Sequence, residues 1–386
     1  MTLILRGGRV IDPVSGLDRI TDVTIADDHI AAIGPRDDVP REGAEVIDCA
    51  GALVVPGLID LHVHVMPGLG DFCVDADAVG VHQGVPTVVD GGTSGVATFE
   101  LARRAVIDHP ATETRVLAFL DPNQLYLATK DFICHKLEIA ADRRNLDVDS
   151  LAACIERNRD VVVGLKVRAC KVDDSGTSPF LEGAKQVGGE LPIMVHHGRF
   201  PHTPSIATND LLRALRSGDI ITHAFRGGSG FLDGHGGVTP EFADAVARGV
   251  RLDVGHSGTD FRFREARRLF DAGYFPTTIS TDLNVFSIEG PVFSLVETMS
   301  KIYALGVPLN AVIAMTTANT AAVLGIAETL GRLAVGGSAD VSVLRLEEGE
   351  FVLSDGYEAI SSQERFVSAG CVRNGRWFPA MAPVPA

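Results

Sequence analysis

The sequence has no Cys-x-x-Cys pair, no block of Lys or Arg, and one tryptophan in 386 residues. Each absence narrows the field. Six scattered cysteines (49, 73, 134, 154, 170 and 371) build neither a zinc knuckle nor a dense disulfide framework. They read as reduced thiols in a cytoplasmic protein, most of them small buried apolar groups. Nowhere do about 18 uninterrupted apolar residues occur, the length a membrane-spanning helix needs. The opening MTLILRGGRVIDPVSG is apolar only over Leu3 to Leu5, which is no secretory signal. A net charge of −16 without a basic stripe argues against a nucleic-acid partner and leaves a small-molecule substrate.

The chain is rich in apolar residues, at 46%, and is long enough for one large domain with a small companion. Near the start, Leu3 to Leu5, Arg9 to Ile11, Asp22 to Ile25, His29 to Ile33 and Glu45 to Asp48 alternate like short strands between Gly and Asp-Pro turns. The last stretch repeats this with Asp340 to Leu346, Phe351 to Leu353 and Cys371 to Phe378. Neither end closes a core alone, so residues 1–54 and 331–386 are expected to pair into one small β-sandwich-like domain.

Residues 55–330 follow another rhythm, with short apolar runs separated by helical material. The runs are Leu58 to Leu61, Thr87 to Asp90, Arg115 to Leu120, Val161 to Lys166, Leu191 to His196, Ile220 to His223, Val250 to Val254 and Thr277 to Ser280. Eight of them predict an α/β fold, a (β/α)8 TIM barrel. Thr239-Pro240 opens a helix that stops near Gly249, another runs from Phe263 to Ala272, and Gly306 to Pro308 divides the apolar segment Pro291 to Leu324.

Such a barrel carries its chemistry at the C-terminal ends of its strands. Those ends are Asp60-Leu61-His62-Val63-His64, Leu165-Lys166, Val195-His196-His197, Thr222-His223 and Thr281-Asp282. His62 and His64 share a face because side chains alternate along a strand. A lone strand-end histidine is more often structural than a ligand. Four together, with a carboxylate, exceed what one tetrahedral ion uses and point to two divalent metals, zinc by donor type. Lys166 as an ammonium cannot ligate. Buried beside positive charge it loses its proton, and the neutral amine can take up carbon dioxide to form an anionic carbamate able to bridge two metals.

The order H-x-H, Lys, His, His, Asp resembles the amidohydrolase superfamily over nearly the whole chain. PGLID (56–60), GVPTVVD (84–90) and GGSADV (336–341) are similar as well, and VVGLKVR, MVHHG, DVGH and STDL resemble its deacetylase-like and dihydroorotase-like branch. The resemblance implies that His62, His64 and Asp282 hold one metal, that His196 and His223 hold the other, and that carboxylated Lys166 bridges them. It implies hydroxide between the metals as nucleophile, with Asp282 as general base and then acid. The implied reaction is hydrolysis of an amide or ester in a small molecule, such as deacetylation of N-acetyl or O-acetyl carboxylic acids. A cyclic amidase of the dihydroorotase or hydantoinase kind, a D-aminoacylase and a non-catalytic scaffold are the alternatives, and a homo-oligomer is compatible with the family.

Departures fall near the substrate. His197 doubles the strand-five histidine but points to the opposite face, which suits packing. Asn284 stands where His is common, and Ser257 follows Gly255-His256 where Gly is more familiar. His256, Arg168, Arg226 and Asn284 are the candidate substrate contacts, the guanidinium groups as carboxylate grips. His202 or His235 could cover the site.

Overall fold

The structure is a computed structural model that describes residues 2–34, 43–125, 142–168, 178–198, 205–233 and 237–381. Its strands in chain order are β1 Thr2–Asp12, β2 Leu17–Ala26, β3 His29–Ile33, β4 Glu45–Asp48 and β5 Leu53–Pro56. Then come β6 Ile59–Val63, β7 Thr87–Gly95, β8 Arg115–Asp121, β9 Val162–Arg168, β10 Ile193–His196, β11 Ile220–Thr222 and β12 Arg251–Leu252. The last three are β13 Val341–Ser354, β14 Ala359–Arg373 and β15 Arg376–Pro379.

Both chain ends meet in one eight-stranded sheet of order β15-β14-β13-β5-β1-β2-β3, with β4 beside β1. The runs Leu3 to Leu5 and Arg9 to Ile11 are one strand, not two, because a register shift between Leu5 and Gly8 lets Gly7 turn at φ 73° without breaking the pairing to β2. Phe351 to Leu353 likewise continues β13 past a shift between Glu348 and Phe351. The tight β14–β15 hairpin is turned by Asn374-Gly375, both at positive φ. Strand β13 zips onto β5, and β5 runs through Gly57-Leu58 directly into β6. Ser342 fixes that junction: its hydroxyl accepts from Leu58 N–H at 3.0 Å and donates to Gly84 O at 2.7 Å.

The middle of the chain is a seven-stranded parallel sheet, β6 through β12 in sequential order. On one face Ile59, Leu61, Val89, Leu117, Phe119, Val163, Met194 and Ile220 form an inner apolar cluster. Val63, Val65, Val88, Val116, Leu165 and Val195 belong to a larger cluster shared with the helices.

The eighth run, Thr277 to Ser280, is not a regular strand, and the seventh shrinks to two residues. Residues 277–283 nevertheless touch both edges of the sheet, bridging Asp253 to Thr278 on one side and Val63 to Leu283 on the other. Their ladder is interrupted because Ile279 N–H is taken by Met315 O and Thr281 N–H by the Asp60 carboxylate.

Of the helices, Pro240–Ala247 starts as expected, with Thr239 Oγ1 accepting from Phe242 N–H. The segment after Pro291 divides into Leu295–Ala304, Leu309–Met315 and Ala318–Val323. No helix among the described residues is long and apolar enough to cross a membrane.

Candidate metal centre

The strand ends converge. His62 and His64 project from β6 and its extension while Val63 packs outward, as alternation requires. Asp282, in a left-handed conformation at φ 51°, brings Oδ1 to 3.2 Å from His62 Nε2 and 3.0 Å from His64 Nε2. Its backbone is placed by a 2.6 Å hydrogen bond from Asp282 N–H to His62 O. His223, also left-handed at φ 61°, sets Nε2 3.8 Å from Asp282 Oδ2. Its ring lies 5.3 Å from that of His62 and 4.5 Å from that of His196, which ends β10. Lys166 on β9 reaches in from below, Nζ at 2.8 Å from His62 Nε2 and 3.4 Å from Met194 Sδ. All six expected ligand positions therefore lie in one neighbourhood.

The histidine tautomers follow from the hydrogen bonds. Thr222 Oγ1 donates to Asp253 Oδ2 at 2.7 Å, so it must accept from His62 Nδ1 at 3.0 Å. Thr93 Oγ1 donates to Asp90 Oδ2 at 2.8 Å and accepts from His64 Nδ1 at 2.7 Å. His223 Nδ1 donates to Gly255 O at 2.6 Å. Three imidazoles thus keep their proton on Nδ1 and turn the Nε2 lone pair toward one point, the arrangement metal-ligating histidines need. Thr93, Thr222, Asp90 and Asp253 escape the sequence reading as a supporting layer; the signal was faint, a hydroxyl next to His223 and an Asp three residues before Thr93.

Charge in the centre is tuned by burial. Burial, helped by the Arg168 charge, pulls the Lys166 amine down to about 7. Burial and then the Lys166 charge hold His62 neutral, well below the ordinary histidine value. Burial alone would raise the Asp282 carboxyl, but the groups around it, His64 first and then His223 and Lys166, outweigh burial and hold it below the usual range.

The residues fit a metal. Asp282 Oδ1 and His223 Nε2 are buried without a hydrogen bond among the described residues, a costly state that a cation relieves. His62, His64 and Asp282 offer donor atoms all within 4.8 Å of one another. Backbone space is reserved for them: a Cβ on Gly91 would come within 2.2 Å of the His62 ring, and one on Gly92 within 2.4 Å of the Lys166 stem.

The four expected substrate contacts divide. Arg226 lines a cavity of about 350 Å³ beside His196, with Thr259, Asp260, Arg262 and Tyr357. It donates to His197 O at 2.6 Å and pairs with Asp260 at 3.2 Å. The other three are also held by internal partners and do not line that cavity. Arg168 is buried against Asp121 at 2.7 Å. Asn284 Nδ2 donates to Asp282 O at 2.8 Å while its Oδ1 accepts from Phe286 N–H at 3.0 Å. His256 is fully buried with both ring nitrogens engaged, by Gly258 N–H at 3.2 Å and Lys301 Nζ at 3.1 Å. His197 packs as expected, bonded to Ser229 O and stacked on Phe231. His202 and His235 lie outside the described residues. Arg262 and Tyr357 were not anticipated, since only folding brings the β13–β14 hairpin to this cavity.

Comparison with known proteins gives the family of the chain. An amidohydrolase-family profile matches residues 195–377. A deacetylase of Agrobacterium fabrum is 33% identical over 371 residues, covering 93% of this chain and 88% of that protein. A deacetylase of Enterococcus faecalis is 28% identical and covers 92% of each chain. Among solved structures, an adenine deaminase (25% identity, TM-score 0.86) and a dihydroorotase (30%, 0.85) each cover 98% of this chain and 99% of their own. The chain belongs to the amidohydrolase superfamily and is a hydrolytic enzyme with a TIM-barrel-like fold. The two solved relatives match it almost equally well although named for different reactions, so the architecture leaves the substrate to the site.

Proposed function

We propose that the protein is a metal-dependent hydrolase that removes an acyl group, acetyl in the simplest case, from a small molecule carrying an amide or ester bond. The observation that carries this reading is the set of three histidines locked as Nδ1–H tautomers, with Nε2 facing an ionised Asp282. In this reading residues 55–330 form a (β/α)8 barrel closed by 277–283 as its eighth strand, and residues 1–54 and 331–386 form the companion β-domain.

His62, His64 and Asp282 would hold one divalent ion, zinc by its donor set, and His196 and His223 a second, with carboxylated Lys166 between them. Bound metal supplies Lewis acidity for the scissile carbonyl and an acidified water. The Asp282 carboxylate accepts the proton of the attacking water and returns it to the departing nitrogen or oxygen. Arg226 and the cavity beside His196 receive the rest of the substrate, and about 350 Å³ suits a small molecule.

A second reading, ring opening of a cyclic amide, is favoured by the 30% identity to a solved dihydroorotase over nearly the whole chain. Zinc-loaded protein assayed for acetate release from N-acetyl and O-acetyl carboxylic acids, and for opening of dihydroorotate and hydantoins, separates the two. Acetate release with inert rings supports deacylation. Turnover of the rings alone overturns it.

A further inference from the structure

Lys301, on the helix Leu295–Ala304, is wholly out of water at 0% exposure. A buried ammonium ordinarily lies against a carboxylate. Among the described residues Lys301 forms no such ion pair: Nζ meets Pro291 O at 2.5 Å and His256 Nε2 at 3.1 Å, while Glu297 and Asp355 act on it only through space. Burial draws the amine down to about 8.

The His256 ring decides the direction of its bond to Lys301. Its Nδ1 accepts from Gly258 N–H at 3.2 Å, a donor shared with the His256 carbonyl at 2.7 Å. An imidazole that accepts at Nδ1 is neutral and carries its proton on Nε2. That Nε2–H points at Lys301, and only an amine with a free lone pair can receive it.

The pair joins the segments on either side of Asp282. Ahead of it, His256 N–H bonds Ser280 O at 3.3 Å and Ser257 N–H bonds Thr281 O at 2.8 Å, lacing the 255–258 turn to the two residues before Asp282. Behind it, Pro291 ends the loop that begins at Asn284, and a Cβ on Gly258 would sit 3.1 Å from the Pro291 ring.

We propose that Lys301 is a positioning residue that works as a neutral amine, accepting from His256 Nε2–H and donating to Pro291 O, so that both segments flanking Asp282 are held by one strut. Only its effect on turnover rests on the hydrolase reading.

The test is nitrogen NMR at pH 9, above the Lys301 titration, of the zinc-loaded protein with ¹⁵N-labelled histidine, His256 being assigned by the signals lost in His256→Gln. We expect a protonated Nε2 and a bare Nδ1. A protonated Nδ1 would overturn the neutral amine. Hydrogen exchange of the peptide 279–284 then reads positioning without any substrate. Lys301→Gln offers a carbonyl to Nε2–H and an N–H₂ to Pro291, and should keep parent-like protection. Lys301→Arg cannot become neutral and should lose it. With an established substrate, kcat should fall about 10²-fold in Lys301→Arg at unchanged KM and metal content. Equal protection in the two variants would end the positioning role, whereas absence of any hydrolysed substrate would strike the hydrolase reading alone.

Discussion

At the scale of single residues, the proposed reading separates groups that bind from a group that works. Asp282 lies within 3.2 Å of two histidine nitrogens, yet its Oδ1 has no hydrogen bond of its own, so the carboxylate is free to exchange a proton. Replacing it with Asn keeps shape and one oxygen donor but removes the base. Asp282→Asn should retain most of its metal and lose about 10²- to 10⁴-fold in kcat, the usual worth of general acid–base catalysis; metal analysis beside steady-state kinetics checks this, and near-parental kcat sinks the role. The ligand positions were legible because histidine, lysine and aspartate at strand ends are conspicuous. The surroundings of His256 and Arg168 were not, because each is engaged by a partner remote in sequence, Lys301 and Asp121, while Asn284 is engaged locally by the backbone of Asp282 and Phe286.

At the scale of elements, the parallel strands were readable from their apolar runs, while their irregularities were not. In β7 the expected strand ended at Asp90, but the element runs on to Gly95. Gly91-Gly92 reads as a break in sequence, and in the structure it is the space into which the His62 ring and the Lys166 stem fit. Gly91→Ala should displace His62 without reaching any other ligand, since the three nearest atoms to the new Cβ all belong to that ring. Metal affinity should fall about 10- to 100-fold, the range seen when the support of a ligand is disturbed. Competition with a chromogenic chelator measures it, and unchanged affinity would show that the ring yields freely. The eighth run failed as a strand for a related reason. The backbone donors of Ile279 and Thr281 go to Met315 O and the Asp60 carboxylate, and these bonds locally replace a ladder that the apolar pattern alone would predict.

At the scale of the whole molecule, two buried lysines set how metal-free protein responds to alkali. Lys166 is drawn to about 7 and Lys301 to about 8, whereas the unfolded chain holds both protons until near 10.5. Above pH 7 the unfolded state therefore binds more protons than the folded one, and stability rises with pH. The rise has an upper limit. Burial pushes the Cys49 and Cys73 thiols up to about 11 and about 12, so above their ordinary value of 9.0 the unfolded chain releases protons that the folded one keeps, a contribution of opposite sign that flattens the rise. Chelator-treated protein should thus gain thermal stability from pH 7 to 9, on the order of 2 kcal/mol per lysine. Lys166→Met should show a shallower rise, because only Lys301 is left to drive it. In the proposed reading the same neutral amine takes up carbon dioxide. Bicarbonate with zinc should therefore add the mass of one CO₂ to the intact parent and none to Lys166→Met, and once Lys166 is carboxylated the parent should lose part of its pH dependence. A melting temperature that falls between pH 7 and 9 in the metal-free parent would show that the two amines stay charged when buried, and with that the route to a carbamate at Lys166 would close.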